Sequence, residues 1–206
     1  LWQDDTIWCA YGRQLPRDDA TYYAAQLRSF NYPPTSELRC YQDRFDYGLK
    51  TAFISNSFAA YKKGALARVS YFKNGLIFGE DTCSLARMLV AGGCVAYEGR
   101  ATVYHSHNYS FSEEFRRSFD IGVLHSREEI LLKEFGTAED VGVQYVVSTL
   151  AEAAREGKLL AVADCLLRSG LKMLGYKAGR YHKGIPSRLR PLLSLNRSWW
   201  LRGAPQ

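Results

Sequence analysis

The sequence lacks the short motifs that mark the commonest metal and phosphate sites. It has no Cys-x-x-Cys pair, no His-Glu-x-x-His helix motif and no glycine-rich phosphate loop. It also has no internal repeat and no low-complexity segment, and we expect no secretory signal peptide. No apolar run approaches the roughly 20 residues that a membrane span needs. The missing motifs disfavour the metal and phosphate sites that they usually form. The lack of a long apolar run predicts that no helix crosses a membrane.

Cysteine is present, but it shows neither a disulfide framework nor a metal-site spacing. The number of cysteines is odd, and their positions are Cys9, Cys40, Cys83, Cys94 and Cys165. We therefore expect reduced thiols in a cytoplasmic protein. The chain begins at Leu1 without a methionine, so we also expect it to be a piece of a longer protein.

Acidic residues are missing from the C-terminal part of the chain. All 21 acidic residues lie at or before Asp164, whereas nine lysines and arginines follow from Arg168 onward. Residues 1–167 carry 18 basic and 21 acidic groups, a net charge of −3, and the remaining residues carry +9. A basic tail on a nearly neutral body indicates an anionic partner, either lipid headgroups or nucleic acid.

The 206 residues, 47% of them apolar, are enough for one sizeable core with an appended subdomain. Apolar spacing predicts an α/β body, with buried strands at Ile7–Tyr11 and Lys50–Ala60 and with helices at Ala20–Phe30, at Lys62–Arg68 and from Ser110 through Glu134. A break is expected at Gly12–Pro16. The polar triplet Ser55-Asn56-Ser57 interrupts the second strand, which indicates polar groups that face a ligand, or a bend.

The stretch from Glu80 to His107 concentrates carboxylates and imidazoles in one compact unit. The acidic pair Glu80-Asp81 opens a helix whose inner face carries leucines and a methionine at spacings of three and four. Two short strands are predicted after it, and the second ends in His105-Ser106-His107. In an extended segment, His105 and His107 point the same way. The unit is therefore able to present a carboxylate and one or two imidazoles to a common cleft.

Simpler interpretations of this stretch remain open at this point. An acidic pair at a helix start commonly serves only capping and compensation of the helix dipole. A His-x-His pair is commonly a surface or core feature, because zinc needs a third and a fourth ligand. The residues alone do not decide between these interpretations and a site.

The last third of the chain predicts a helical tail after a hinge at Gly136–Asp140. Two amphipathic helices are expected, one around Val146–Ala154 and one around Leu159–Leu174. The segment 176–201 then mixes basic groups with tyrosine and tryptophan, a composition that suits a segment lying on an anionic membrane surface. An ordinary basic tail is the alternative. Nucleic acid is disfavoured, because no reading motif is present and Trp199-Trp200 is too isolated to form a stacking platform.

The order of these pieces resembles the C-terminal half of an inverting family-2 glycosyltransferase with the GT-A fold. More narrowly, it is similar to the rhamnosyltransferase-type members that build bacterial surface polysaccharides. The segments that carry the resemblance are Tyr11–Pro16, Phe30–Pro34, Ser55–Tyr61, Phe78–Asp81, Tyr104–Ser110, Phe119–Val123 and the basic tail. Together they cover nearly the whole chain.

The resemblance implies a role for each residue of the acidic pair and of the histidine pair. Asp81 is expected to be the catalytic base, because an acceptor hydroxyl must lose its proton as it attacks the anomeric carbon. Glu80 is expected to contact the acceptor or to orient the helix start. A histidine, His105 in preference to His107, is expected to help hold Mg²⁺ or Mn²⁺, which stabilises the departing nucleoside diphosphate.

The resemblance also implies further substrate contacts. Ser55 and Asn56 occupy the loop that lines the sugar and acceptor site in the family, and Arg13 is expected to contact substrate. Arg117 lies in the helix that is predicted directly after the histidine pair. Its guanidinium is well shaped to bind phosphate oxygens.

One feature of the family is missing. Its Asp-x-Asp metal motif and its nucleotide-binding βαβ region should precede the strand at Ile7, and neither is present. We therefore expect a partial GT-A fold, with the acceptor-side half at residues 1–135 and a basic helical tail at 136–206. Alone, this chain is expected to be inactive.

The resemblance implies a donor, an acceptor and a location for the full-length protein. The donor is expected to be dTDP-L-rhamnose, and the acceptor a lipid-linked or oligosaccharide precursor. The location is expected to be the cytoplasmic side of the plasma membrane, with residues 168–202 on the anionic surface. Two alternatives are a non-catalytic carbohydrate-binding or scaffold protein and a zinc hydrolase that uses His105 and His107.

Overall fold

The computed structural model describes residues 4–136 and 139–202. These residues cluster into two compact units, one formed by 4–73, 80–108 and 130–145 and the other by 74–79, 109–129 and 146–202. The strands are β1 (Ile7–Leu15), β2 (Glu37–Arg39), β3 (Ala59–Tyr61) and β4 (Cys94–Tyr104). The helices are α1 (Tyr22–Asn31), α2 (Arg44–Tyr47), α3 (Lys63–Arg68), α4 (Glu80–Val90), α5 (Phe111–Arg127), α6 (Glu129–Phe135), α7 (Glu139–Arg155), α8 (Leu159–Arg180), α9 (Arg190–Leu193) and α10 (Arg197–Leu201).

The first unit is built on a mixed four-stranded sheet with the order β2-β4-β1-β3. The two central strands, β1 and β4, are parallel, and the short edge strands β2 and β3 pair antiparallel with them. The parallel strands end side by side, and the backbone N–H of His105 donates to the carbonyl of Leu15 at 2.9 Å. In open α/β sheets, ligands bind beyond the carboxyl ends of such strands.

Helix α4 confirms the prediction for the acidic stretch. It begins at Glu80, directly after Gly79 at φ +76°, and its residues Leu85, Met88 and Leu89 are fully buried. Two acidic side chains in its first turn face the positive end of the helix dipole. The predicted helices at the positions of α1 and α3 are also present.

The strand predictions around the centre of the sheet need correction. The predicted break at Gly12 is wrong, because β1 continues to Leu15, paired with Tyr104. The two predicted strands after α4 form one continuous strand, β4. Its register against β1 shifts, because Gly12 pairs with Glu98 whereas the next residue, Arg13, pairs with Thr102. This irregularity interrupts the alternation of side chains and imitates a strand end in the sequence.

The predicted strand at Lys50–Ala60 is also wrong. Within this stretch a strand begins only at Ala59, as part of β3, and the preceding residues include two short 3₁₀ turns at Gly48–Ala52 and Asn56–Phe58. The buried guanidinium of Arg39 explains part of this, because it donates to the carbonyls of Lys50 and of Phe53, which a strand would use for sheet pairing. The bend expected at Ser55–Ser57 is therefore present, and the interpretation that these polar groups face a ligand stays a prediction.

The expectation of reduced cysteines throughout is wrong for one pair. Cys40 and Cys94 form a disulfide that joins the end of β2 to the start of β4, with a Cα–Cα distance of 4.3 Å. Cys9, Cys83 and Cys165 are buried and are not disulfide-bonded. Disulfides are uncommon in reducing compartments. The cysteines therefore no longer support the expected cytoplasmic location.

The second unit is organised by the close packing of α5 against α8. Helix α5 begins with the predicted capping box, in which Ser110 and Glu113 each accept from the other's backbone N–H. It ends at Arg127 rather than at Glu134, and α6 follows. Glycines allow the two helix backbones to meet, since a Cβ at Gly175 would lie 2.3 Å from the carbonyl oxygen of Phe115.

The C-terminal prediction of two helices is confirmed by α7 and α8. The predicted hinge at Gly136–Asp140 lies partly outside the described residues, because 137 and 138 are not among them. The predicted domain boundary at residue 136 stays a prediction. Within residues 4–136 and 139–202, no helix combines the length and apolarity needed to cross a bilayer.

Candidate active site

The carboxylate of Asp81 is held at the start of α4 by two backbone N–H groups. Its Oδ1 accepts from its neighbour Thr82 at 2.7 Å, and its Oδ2 accepts from Asn56, in the second 3₁₀ turn, at 3.1 Å. Burial raises the pKa of Asp81 above its ordinary value, although these hydrogen bonds act in the opposite direction. A half-buried carboxylate with a raised pKa and a fixed orientation is suited to accept a proton.

The side chain of Asn56 connects the acidic pair to β3. Its Nδ2 donates to Oε1 of Glu80 at 3.0 Å, and its Oδ1 accepts from the hydroxyl of Tyr61 at 2.7 Å. The carboxylate of Glu80 can only accept a hydrogen bond, so the amide nitrogen of Asn56 must face Glu80 and its oxygen must face the hydroxyl of Tyr61. Asn56 therefore contacts both members of the acidic pair, one through its side chain and the other through its backbone.

His105 approaches the same turn from the other direction. It follows the last residue of β4, and its Nε2 lies 3.3 Å from the hydroxyl of Ser57. Burial, and next the charge of His107, lower the pKa of His105, which favours the neutral imidazole. The rings of His105 and His107 are 4.6 Å apart and perpendicular.

The carboxylate and the imidazole thus contact adjacent residues of one short turn, Asn56 for Asp81 and Ser57 for His105. The first turn of α4 and the end of β4 therefore meet at this turn, and the expectation that they form one catalytic site stays a prediction. Of the predicted site residues, the turn gathers Glu80, Asp81, Ser55, Asn56 and His105. Their chemical roles stay predictions.

A second hydrogen-bonded line reaches the turn through Ser55. The buried Gln14 donates from Nε2 to the hydroxyl of Ser55 at 2.9 Å, and its Oε1 accepts from Nη1 of Arg28. The hydroxyl of Ser55 lies 3.3 Å from that of Ser57, which contacts His105. The turn is therefore fixed from the sheet, from α1 and from α4.

The loop that carries the histidines is tied to the loop after β1. The hydroxyl of Ser106 accepts from the backbone N–H of Arg17 at 3.1 Å. Asn108 accepts from the N–H of Thr21 at 2.9 Å and donates to the carbonyl of Asp19 at 2.7 Å. These bonds hold the segment that follows the parallel strands and thereby limit the positions of the imidazoles.

The three remaining predicted site residues are Arg13, Arg117 and His107. Arg13 donates from Nε to the carbonyl of Tyr32 at 3.1 Å and has no contact with the turn in the described part of the chain. Arg117 belongs to the second unit, where its guanidinium lies 3.8 Å from the ring centre of Phe78. His107 is exposed, and its ring contacts that of His105.

The donor set fits a divalent metal only in part. Two neighbouring imidazoles, one of them favoured in its neutral form, are suitable ligands. However, the described residues contain no group of three or more histidine, cysteine, aspartate or glutamate side chains placed to hold a metal ion. Residues 4–136 and 139–202 by themselves therefore do not supply a complete set of ligands.

Sequence reasoning missed three residues that shape the site, namely Gln14, Arg28 and Tyr61. Gln14 and Tyr61 lie inside segments that carry the resemblance, so a signal for them was present. Arg28 lies in the last turn of α1, where a basic residue has an ordinary reason to stand near the negative end of the helix dipole. Only the fold brings it to the turn.

Comparison with curated proteins relates the chain to enzymes that transfer a sugar. It is similar to O-antigen chain rhamnosyltransferases over almost its full length. One is RfbN of Salmonella typhimurium, 37% identical over 197 residues, which are 96% of this chain and 62% of the relative. Another is WbaN of Salmonella anatum, 35% identical over 200 residues, or 97% of this chain and 63% of the relative. The chain thus spans less than two thirds of each relative.

Two further comparisons gave no match. No protein-family model matches the chain. No solved structure matches it either. The relationship to rhamnosyltransferases therefore rests on the two curated relatives.

Proposed function

We propose that these residues form the acceptor-side part of an inverting family-2 glycosyltransferase with the GT-A fold, which transfers rhamnose to an O-antigen precursor. The similarity to two O-antigen chain rhamnosyltransferases over 96% and 97% of the chain is the observation that carries this proposal. The contacts of Asp81 and His105 with one turn support it. The chain covers 62% and 63% of those relatives, which is consistent with a donor-binding region encoded elsewhere in a longer polypeptide.

In this mechanism Asp81 is the general base. The acceptor hydroxyl donates to a carboxylate oxygen of Asp81, which takes the proton as the oxygen attacks the anomeric carbon. The bond from that carbon to the donor's diphosphate breaks on the opposite face, so the anomeric configuration inverts. Glu80 contacts the acceptor, and the amide of Asn56 fixes Glu80 while its backbone N–H fixes Asp81.

A divalent cation, Mg²⁺ or Mn²⁺, would supply charge stabilisation to the leaving diphosphate when bound. His105 is the residue of this chain proposed to hold it, with His107 as its neighbour. The remaining ligands would belong to an Asp-x-Asp motif in the rest of the polypeptide. The resemblance favours dTDP-L-rhamnose as donor and a lipid-linked or oligosaccharide acceptor. Arg13 and Arg117 are the remaining proposed substrate contacts.

The proposal is tested by transfer in the full-length protein. With dTDP-L-rhamnose, an O-antigen acceptor and Mg²⁺ or Mn²⁺, we expect a rhamnosylated product whose new linkage has inverted configuration by NMR. Chelation with EDTA should abolish turnover, and added metal should restore it. Binding of the acceptor glycan without transfer from any nucleotide sugar would instead favour a non-catalytic carbohydrate-binding protein.

We also propose that the second unit lies on the cytoplasmic face of the plasma membrane. The outward side of α8 is apolar, with Leu160 88%, Leu166 54% and Leu174 59% exposed. From Arg168 onward all charged side chains are basic. Exposed apolar groups beside basic ones suit the boundary between lipid headgroups and acyl chains. This surface begins at α8, somewhat earlier than the predicted range 168–202.

Binding of the full-length protein to vesicles tests the membrane proposal. Vesicles with anionic phosphatidylglycerol should bind it, vesicles of phosphatidylcholine alone should bind it weakly, and salt should reduce the binding. Each basic group near the surface contributes roughly 1 kcal/mol. Replacing the exposed residues Lys177, Lys183 and Arg188 by glutamine should therefore weaken binding by about two orders of magnitude.

The matched control for vesicle binding removes three exposed positive charges from the first unit. Glutamine at Lys63, Arg68 and Arg100 changes the net charge by the same amount and should leave vesicle binding nearly unchanged. Equal losses in both triple variants would show a dependence on net charge alone. Indifference of the natural protein to lipid charge would contradict the proposed membrane surface.

A further inference from the structure

Arg28 is a half-buried cation beside the turn at Ser55–Phe58. It lies in the last turn of α1, and its Nη1 donates to Oε1 of the buried Gln14. Its guanidinium carbon lies 5.5 Å from the ring centre of Tyr32. Its Nε is buried, and no acceptor among residues 4–136 and 139–202 reaches it. The side chain is therefore held in place by neutral groups and has unused hydrogen-bonding capacity.

No carboxylate pairs with Arg28 in the described part of the chain. Other buried guanidinium groups are compensated. Arg39 lies 3.2 Å from Glu37, and Arg168 lies 2.8 Å from Asp164. Arg87, which contacts no carboxylate, donates to three backbone carbonyls instead. A half-buried charge without such partners costs free energy, and an anionic ligand would offset that cost.

The position of Arg28 relates it to the histidine side of the candidate site. Gln14, which contacts Arg28, donates to Ser55, and the line of hydroxyls continues from Ser55 through Ser57 to His105. The acidic pair, in contrast, contacts the turn at Asn56.

We propose that Arg28 binds a phosphate group of a substrate and that Gln14 positions it for this contact. The inference rests on the proposed function, because both the nucleotide-sugar donor and a lipid-linked acceptor contain phosphate. The planar guanidinium fork matches two phosphate oxygens, and the hydrogen bond to Gln14 limits its rotation. Negative charge near Arg28 would supply the compensation that residues 4–136 and 139–202 do not provide.

Nucleotide binding to the full-length protein tests this role. Calorimetric titration with thymidine diphosphate should give a Kd that rises about 10- to 100-fold in Arg28→Gln, the usual cost of losing a hydrogen bond to a charged group. Arg28→Lys should retain part of the affinity. Arg100→Gln removes an exposed guanidinium of the same unit and should leave the Kd unchanged. Melting temperatures of the variants identify any loss due to misfolding.

A second set of probes decides which phosphate is bound. If the donor is the source, thymidine diphosphate should lose affinity in Arg28→Gln, whereas thymidine, which has no phosphate, should bind both proteins equally. If the acceptor is the source, farnesyl diphosphate should lose affinity in Arg28→Gln while thymidine diphosphate does not. Unchanged affinity for both diphosphates in a folded Arg28→Gln protein would overturn the inference. Failure of the natural protein to bind any nucleotide or to transfer sugar would count against the proposed function instead.

Discussion

Replacing Asp81 by asparagine in the full-length protein is expected to lower kcat by about 10²- to 10⁴-fold, the usual contribution of a positioned general base. Asparagine retains the size of the side chain and an oxygen that accepts from Asn56, but it cannot take the proton of the acceptor hydroxyl. The KM for the donor should change little, because the proposed contacts of the donor's diphosphate do not include Asp81. Initial rates at saturating donor and acceptor measure the effect.

The pH dependence of the natural enzyme provides a second measurement of the same role. The base must be ionised to act, so kcat/KM should fall as pH decreases through the pKa of Asp81. Burial raises that pKa, so the fall should occur at a higher pH than an ordinary aspartate would give. Asp46→Asn, on the exposed side of α2, is the matched control and should retain both rate and profile.

The stability of Asp81→Asn separates a catalytic role from a structural one. Because the pKa of Asp81 is raised on folding, ionisation of this carboxylate lowers the free energy of unfolding as pH rises through the interval between its unfolded and folded pKa values. At neutral pH the gain from removing this charge opposes the loss of the hydrogen bond from Thr82, which the single amide oxygen of asparagine cannot accept together with the one from Asn56, so the variant should be within about 1 kcal/mol of the natural protein in stability. Full activity in Asp81→Asn, or loss of activity that follows loss of folding, would contradict the proposed base.

The second large effect concerns the packing of α5 against α8. A Cβ added at Gly179 would lie 2.0 Å from the carbonyl oxygen of Phe119 and 3.0 Å from the Cα of Gly122. Since both neighbours are backbone atoms, the helices must move apart. Overpacking of this kind costs typically 1–3 kcal/mol and occasionally more, so Gly179→Ala should lower the free energy of unfolding by at least this amount. Thermal unfolding followed by circular dichroism measures it.

Gly170→Ala is the matched control, because it makes the same substitution in the same helix. Nothing lies within 4 Å of a Cβ added at Gly170. Alanine has a higher helix propensity than glycine, and this control should stabilise the protein by up to about 1 kcal/mol. The two alanine variants should therefore change the melting temperature in opposite directions. A Gly179→Ala protein as stable as the natural one would disprove the close helix contact.

Much of the helical structure was predictable because its signals are local. The start of α4 is indicated by an acidic pair that precedes leucines at helical spacing. The start of α5 is indicated by a capping box, which is formed by two residues three positions apart. The strands were harder to predict, since pairing joins distant segments. The stretch at 50–60 has strand-like composition, yet the guanidinium of Arg39 binds two of its carbonyls and favours turns.

The candidate site likewise combines residues that the sequence identifies with contacts that only the fold creates. Composition and resemblance identified the acidic pair and the histidines, and the helix dipole explains the place of Asp81. The partner of Asp81 is Asn56, 25 positions earlier, and its choice depends on how α4 packs beside the 3₁₀ turn. Arg28 and Gln14 are 14 positions apart and have no sequence spacing that indicates contact. Their meeting requires α1 to lie against β1.

By itself, the sequence determined the helices, the basic C-terminal third, the candidate carboxylate and imidazole, and the relationship to glycosyltransferases. These features depend on residues close together in the chain or on composition, which folding does not change. Only the tertiary structure decided the parallel pairing of β1 with β4, the Cys40–Cys94 disulfide and the turn that Asp81 and His105 share. The physical reason is that hydrogen bonds and packing between distant segments stabilise these features, and no local pattern encodes such partners.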